Sequence, residues 1–213
     1  MKISEEFYPT DFPPKEYHVV PGSMESALDR LREIVRVDGT ETAIDVFLND
    51  NTSLLARCLN FTQFGHHGTW VIPQQVIRPP QTQEVKGLKP DYLIGGKGSD
   101  GYRWFVVELK GANEKIFVEN NGVVCFSRTV NRGIFQLLNY INYCSSAQAY
   151  LRESLRLRGL REPEGILVVG RESELNDDPR KQEMKSAWNR LTSNRIQIRT
   201  FDALLRCSSS SYT

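Results

Sequence analysis

The chain has 213 residues, 39% of them hydrophobic, enough to bury the core of one domain. Its 27 basic and 26 acidic residues leave a net charge of +1, so overall charge carries no footprint of nucleic-acid binding. There is no apolar run long enough for a membrane span and no charged-then-apolar leader, and Cys58, Cys125, Cys144 and Cys207 lack paired spacing, so a cytoplasmic protein with reduced thiols and no membrane contact is expected.

Pro9, Pro13, Pro14 and Pro21 forbid a long helix at the start and suggest an extended arm or an edge strand over residues 16–20. Met24, Leu28, Leu31 and Val35 fall at helical spacing and predict a short helix over residues 23–35. After Asp38-Gly39, Thr40 has the chemistry of an N-cap. Ala43, Ile44, Phe47, Leu48, Leu54, Leu55 and Leu59 then supply the stripe of a longer or interrupted helix. Glu41 and Asp45 share a face of it with Leu48, so one acid can turn inward. Residues 60–80 read as loop with short β pieces at 69–72 and 75–77. His66 and His67 lie there without a cysteine or acid at ligand spacing, which argues against zinc.

The stretch 88–110 reads LKPDYLIGGKGSDGYRWFVVELK, two apolar runs around a glycine-rich loop, and predicts a β-hairpin. Glu108 and Lys110, two residues apart, share one face of the second strand. A turn centred between Gly98 and Ser99, give or take one residue, sets Asp91 opposite Val107 or a neighbour, within a few ångströms of both. Two carboxylates and a lysine at a sheet end can hold a divalent cation and place a water beside it, the apparatus of phosphodiester hydrolysis. Alternating Glu and Lys more commonly mark a solvated face. Here they end the run Trp104-Phe105-Val106-Val107, which argues for a buried central strand, where stray charges are expensive.

Residues 115–118 and 123–126 flank Asn120-Asn121-Gly122, a second hairpin. A helix from Ser127 or Thr129 to about Leu157 is expected, with Ile134, Leu138, Ile141 and Cys144 as its apolar stripe and Gln136, Tyr140 and Tyr143 on the neighbouring face. Gly165 to Gly170 reads as a buried parallel strand, 179–192 as a polar helix, 196–200 as a last strand, 201–205 as a helical turn and Ser208 to Ser211 as a disordered tail. The basic clusters Arg152, Arg156, Arg158, Arg161 and Arg180, Lys181, Lys185, Arg190 sit among acids and fit solvated helix faces equally well. This order of elements describes a mixed β-sheet with α-helices on both faces.

Pro90-Asp91 followed by Glu108-Leu109-Lys110 resembles the signature of the PD-(D/E)xK nuclease superfamily, the restriction-endonuclease-like α/β fold. With the acid-bearing helix ending in Phe47-Leu48-Asn49-Asp50-Asn51, Ser127 ahead of Gln136 and Tyr140, and the strand Ile-Leu-Val-Val-Gly-Arg, the chain is similar to the nuclease domain of Shedu anti-phage defence proteins over roughly residues 41–205. The resemblance implies an N-terminal arm and short helix at 1–39, a nuclease domain at 40–206 and a flexible Ser-rich tail at 207–213. It implies a metal-dependent DNA endonuclease, with DNA as partner, Mg²⁺ or Mn²⁺ as cofactor, a homo-oligomeric state and room for a protein regulator. Asp91, Glu108, the Leu109 carbonyl and Glu41 would hold the metal, with Asp45 the alternative to Glu41. Lys110 would orient the water and stabilise charge on the phosphate, and Gln136 would line the site. A catalytically idle nucleic-acid- or protein-binding module, and a structure-selective repair or resolvase nuclease, are the competing functions for the same fold.

Overall fold

The computed structural model describes residues 8–20, 23–59, 67–78 and 87–209, so His66 and the prolines at 79 and 80 lie outside the described residues. After a 3-10 turn at Lys15–Tyr17 come α1 (Glu25–Val37), α2 (Glu41–Asp50), α3 (Thr52–Cys58) and β1 (Gly68–Pro73). The hairpin β2 (Tyr92–Gly98) and β3 (Gly101–Leu109) follows, then a second hairpin, β4 (Phe117–Asn120) and β5 (Val123–Phe126). The rest is α4 (Arg128–Ser146), α5 (Gln148–Glu153), β6 (Glu164–Val168), α6 (Ser173–Asn176), α7 (Pro179–Leu191), β7 (Ile196–Arg199) and α8 (Phe201–Ser209).

Among the described residues the main sheet has five strands in the order β1-β2-β3-β6-β7, antiparallel from β1 to β3 and parallel from β3 to β7, the mixed sheet expected from the order of elements. Strand alternation sorts β3 between two cores. Phe105, Val107 and Leu109 pack with the apolar stripes of α1, α2, α3 and α8. Trp104 and Val106 face α4 with Leu137, Tyr140 and Leu167. Glu108 and Lys110 continue the second set and therefore turn toward α4. β4 and β5 form a sheet of their own, closed by Asn121 and Gly122 at φ 50° and 80°, a two-residue turn that favours these residue types. None of the described helices is long and apolar enough to cross a membrane.

Several expectations shift. Among its described residues the arm makes one bridge, His18 with Trp70, reinforced by Val19 N–H to Thr69 C=O at 2.9 Å, and these residues cover the β1 edge without forming a strand. The helix after Ser127 stops at Ser146 and restarts as α5, with Gln148 Nε2 donating to the Leu160 carbonyl at 2.9 Å where the chain bends. Its buried stripe is Val130, Gly133, Ile134, Leu137, Tyr140 and Cys144, and Leu138 is 46% exposed. Leu137 and Leu138 are adjacent, so composition cannot choose the phase; Gly133 does. A Cβ there would stand 2.5 Å from Leu167 Cδ1, so the bare backbone lets α4 press on β6 along the Gly133–Leu137 line. α8 runs to Ser209, so the first two tail serines are helical.

Candidate active site

The β2–β3 hairpin closes with Gly98 opposite Gly101, one residue beyond the expected centre. Tyr92 therefore pairs with Val107, and the same register carried one step further sets Asp91 opposite Glu108, on the α4 side of the sheet. Asp91 lies just outside the ladder, where its Oδ2 accepts the Leu109 N–H at 2.7 Å, a backbone donor that β2 no longer reaches. Lys110 Nζ donates to Glu108 Oε1 at 2.9 Å, and both side chains are buried, Glu108 with 2% exposure and Lys110 with 7%.

Glu41 is carried to this end of the sheet by backbone bonds. Thr40 caps α2 by accepting the Ala43 N–H on its hydroxyl at 3.3 Å. The carbonyl of Gly39, a residue at φ 67°, accepts the Ala112 N–H at 2.6 Å from the loop leaving β3. α2 thus starts beside Lys110, and Glu41 Oε2 stands 3.7 Å from its ammonium with half its side chain in solvent. Asp45, one turn on, is held on the other core's side: its Oδ1 accepts the Tyr92 hydroxyl at 2.7 Å and its Oδ2 the Gln74 amide at 3.2 Å. Of the two candidate acids on this helix, Glu41 is the one within ion-pair reach of Lys110.

α4 closes the opposite wall. The Tyr140 hydroxyl donates to the Lys89 carbonyl at 3.2 Å, and burial, with the Glu108 and Asp91 charges, holds it above its ordinary pKa. In the sequence Tyr140 is legible on the Gln136 face and among the residues that carry the Shedu resemblance, without a role of its own; its place four residues on from Gln136 is the signal for one.

Burial governs the electrostatics. It pushes the Asp91 carboxyl up to about 6 against the pull of the Leu109 amide and Lys110. It pushes Glu108 up to about 7, with the neighbouring Asp91 charge adding to it. Burial opposes the Lys110 charge as well, but the bonded Glu108 carboxylate, with Glu41 and Asp91, outweighs it and raises the ammonium above its ordinary value. The cluster therefore lacks positive charge. Glu108 Oε2 and Gln136 Oε1 are buried oxygens with no hydrogen-bond partner. Two such acceptors beside crowded carboxylates fit a hard cation such as Mg²⁺, which takes oxygen ligands and keeps waters. Among the described residues no three His, Cys, Asp or Glu side chains form a metal cage unaided, so carbonyl, amide and water oxygens would complete the coordination of Asp91 and Glu108.

The family model described as Shedu protein SduA, C-terminal, matches residues 38–205. The chain belongs to the Shedu family. The family places it in anti-phage defence. Every residue of the Shedu site just described, from Glu41 to Tyr140, falls inside the matched span, as do all the main-sheet strands. No curated protein matches the chain.

Proposed function

We propose that this Shedu protein is a Mg²⁺-dependent DNA endonuclease, with Mn²⁺ as a substitute ion. The Glu108 carboxylate carries the reading: one oxygen is bonded to Lys110 at 2.9 Å, and the other is buried without a partner next to Asp91. The placement of Asp91, Glu108 and Lys110 also fits the PD-(D/E)xK pattern of the sequence. Asp91, Glu108 and the Leu109 carbonyl would hold the cation, with Glu41 contributing from α2. A cation held there supplies a Lewis acid that draws charge from a phosphodiester oxygen.

The chain's own groups do the rest. Lys110 keeps its proton and sets a fixed positive charge where the phosphate becomes more negative, and its other N–H groups orient the attacking water. Its raised pKa makes it a charge stabiliser and a poor base. Glu41, half exposed at the mouth, accepts from the water side, and Gln136 and Tyr140 wall the site toward α4.

Purified protein incubated with supercoiled plasmid in Mg²⁺ is expected to nick and linearise it, with no cleavage in EDTA or by Lys110→Ala. Cleavage that persists in the variant overturns the assignment. Calorimetry with Mg²⁺ and Mn²⁺ showing no binding turns the reading toward an idle binding module, and cleavage restricted to branched DNA turns it toward a structure-selective nuclease.

A further inference from the structure

The outer face of α4 has a chemistry that the site itself does not use. The helix carries no aspartate or glutamate in 19 residues, while Arg128 and Arg132 stand exposed one turn apart. Several other surface arginines are matched: Arg32 with Asp29, Arg36 with Glu33, Arg103 with Glu164, Arg206 with Glu172. Among the described residues neither Arg128 nor Arg132 has a carboxylate partner. Arg128 is also the first residue of α4, with no acid in the first turn, and the helix dipole disfavours a cation at that end. The Glu114 carboxylate at this turn accepts the Thr129 hydroxyl at 2.9 Å. Arg128 thus stands against the dipole at a small local cost, and both guanidinium groups are free to meet a ligand.

An aromatic ring lies among them. Phe135 is 65% exposed, three residues after Arg132, with Asn131, Asn139 and Asn142 exposed around it. At 100° per residue, Arg128, Arg132, Phe135 and Asn139 fall within about 60° of one another on the helix wheel, and Gln136 lies on the border of this stripe. The stripe therefore runs along the helix into the wall of the candidate active site.

Resting on the nuclease reading, we infer that the outer face of α4 is a track for a single-stranded segment of the nucleic-acid substrate, because exposed Arg128 and Arg132 flank exposed Phe135 on the helix that carries Gln136. The guanidinium groups hold consecutive backbone phosphates, and the Phe135 ring stacks on a base. A base inside a duplex has no free face to offer, so the ring selects for an unpaired strand, and the helix leads that strand toward Lys110.

The test is fluorescence anisotropy of the full chain with labelled oligothymidine and with a duplex of equal length, in EDTA so that nothing is cut, over a range of salt. The single strand is expected to bind more tightly. Arg128→Gln with Arg132→Gln is expected to flatten the salt dependence by about 1.4, at roughly 0.7 per phosphate for single strands. Phe135→Ala is expected to weaken single-strand binding by about 5- to 160-fold and leave the salt slope alone, while Phe135→Tyr restores it. All the sites are exposed, so unchanged melting temperatures accompany these effects. Equal binding of single strand and duplex overturns the inference, as do variants with unchanged affinity and slope. Sedimentation showing that Phe135→Ala only separates copies of the chain also overturns it, in favour of a self-association face. In those outcomes plasmid cleavage can persist and the nuclease reading stands; a protein that neither binds nor cuts DNA ends both.

Discussion

Glu108 gives one oxygen to the Lys110 ammonium at 2.9 Å and keeps the other buried and unpartnered. The pair is thus half satisfied, and removing the lysine strands the acid entirely. Lys110→Ala is expected to lower plasmid cleavage by at least about 100-fold, the scale set by loss of one charge-stabilising donor. It also lowers thermal stability by a few degrees, since an uncompensated buried carboxylate must take up a proton. A variant that cuts at the wild-type rate would remove Lys110 from the chemistry.

Glu108 also gives a pH test in metal-free protein. Its carboxyl is raised from 4.5 to about 7, first by burial and then by Asp91. A raised acid holds its proton more firmly in the folded state, so its contribution is most favourable below about 4.5 and is lost as pH rises through about 7. The melting temperature of the wild type relative to Glu108→Gln is therefore expected to fall between about pH 5 and about pH 8 in EDTA. A difference that stays flat across that range refutes the account of its environment.

Glu41 and Asp45 separate by phenotype. Glu41→Ala removes a half-exposed acid 3.7 Å from Lys110 and is expected to lower cleavage with little change in melting temperature. Asp45→Ala takes the carboxylate from the buried Tyr92 hydroxyl and is expected to cost about 1 kcal/mol of stability. Its cleavage, measured well below its melting temperature, stays closer to wild type than that of Glu41→Ala. The reverse pattern would make Asp45 the acid of the site.

Gly133→Ala is expected to destabilise by about 1–3 kcal/mol through overpacking, because the new methyl meets Leu167. The same push moves Gln136 and Tyr140 away from Glu108, so activity falls with stability. Adding Leu167→Ala is expected to recover part of both, and a strictly additive double-mutant cycle would show that the two positions do not touch.

These contrasts also mark how far residue pattern alone reaches. Thr40 as a cap, both hairpins and the buried strand at 165–170 follow from local chemistry, and a hairpin register is countable to within a residue, which was enough to bring Asp91, Glu108 and Lys110 together. The phase of α4 was not countable, since Leu137 and Leu138 are equally apolar and the choice is made by Leu167, some thirty residues away. The choice between Glu41 and Asp45 is likewise tertiary: the two acids are one turn apart, and a bond from Gly39 to Ala112 fixes which one meets the lysine. Where the helix divides at Ala147, Gln148 bonds the Leu160 carbonyl, a partner that spacing along the helix does not announce.

The bonds that seat the site have a bearing on when it comes into being. Gly39 C=O takes Ala112 N–H, and Gly111 C=O takes Gly170 N–H, so the end of β3 is gripped from the front of the chain and from far behind it. A nascent chain leaving the ribosome already holds Glu41, Asp91, Glu108 and Lys110 long before residue 170 emerges, yet lacks the strand that β3 must pair with and the amide that secures its exit loop. The end of β3 is therefore secured only once residue 170 has been made, so the four side chains come together late in synthesis.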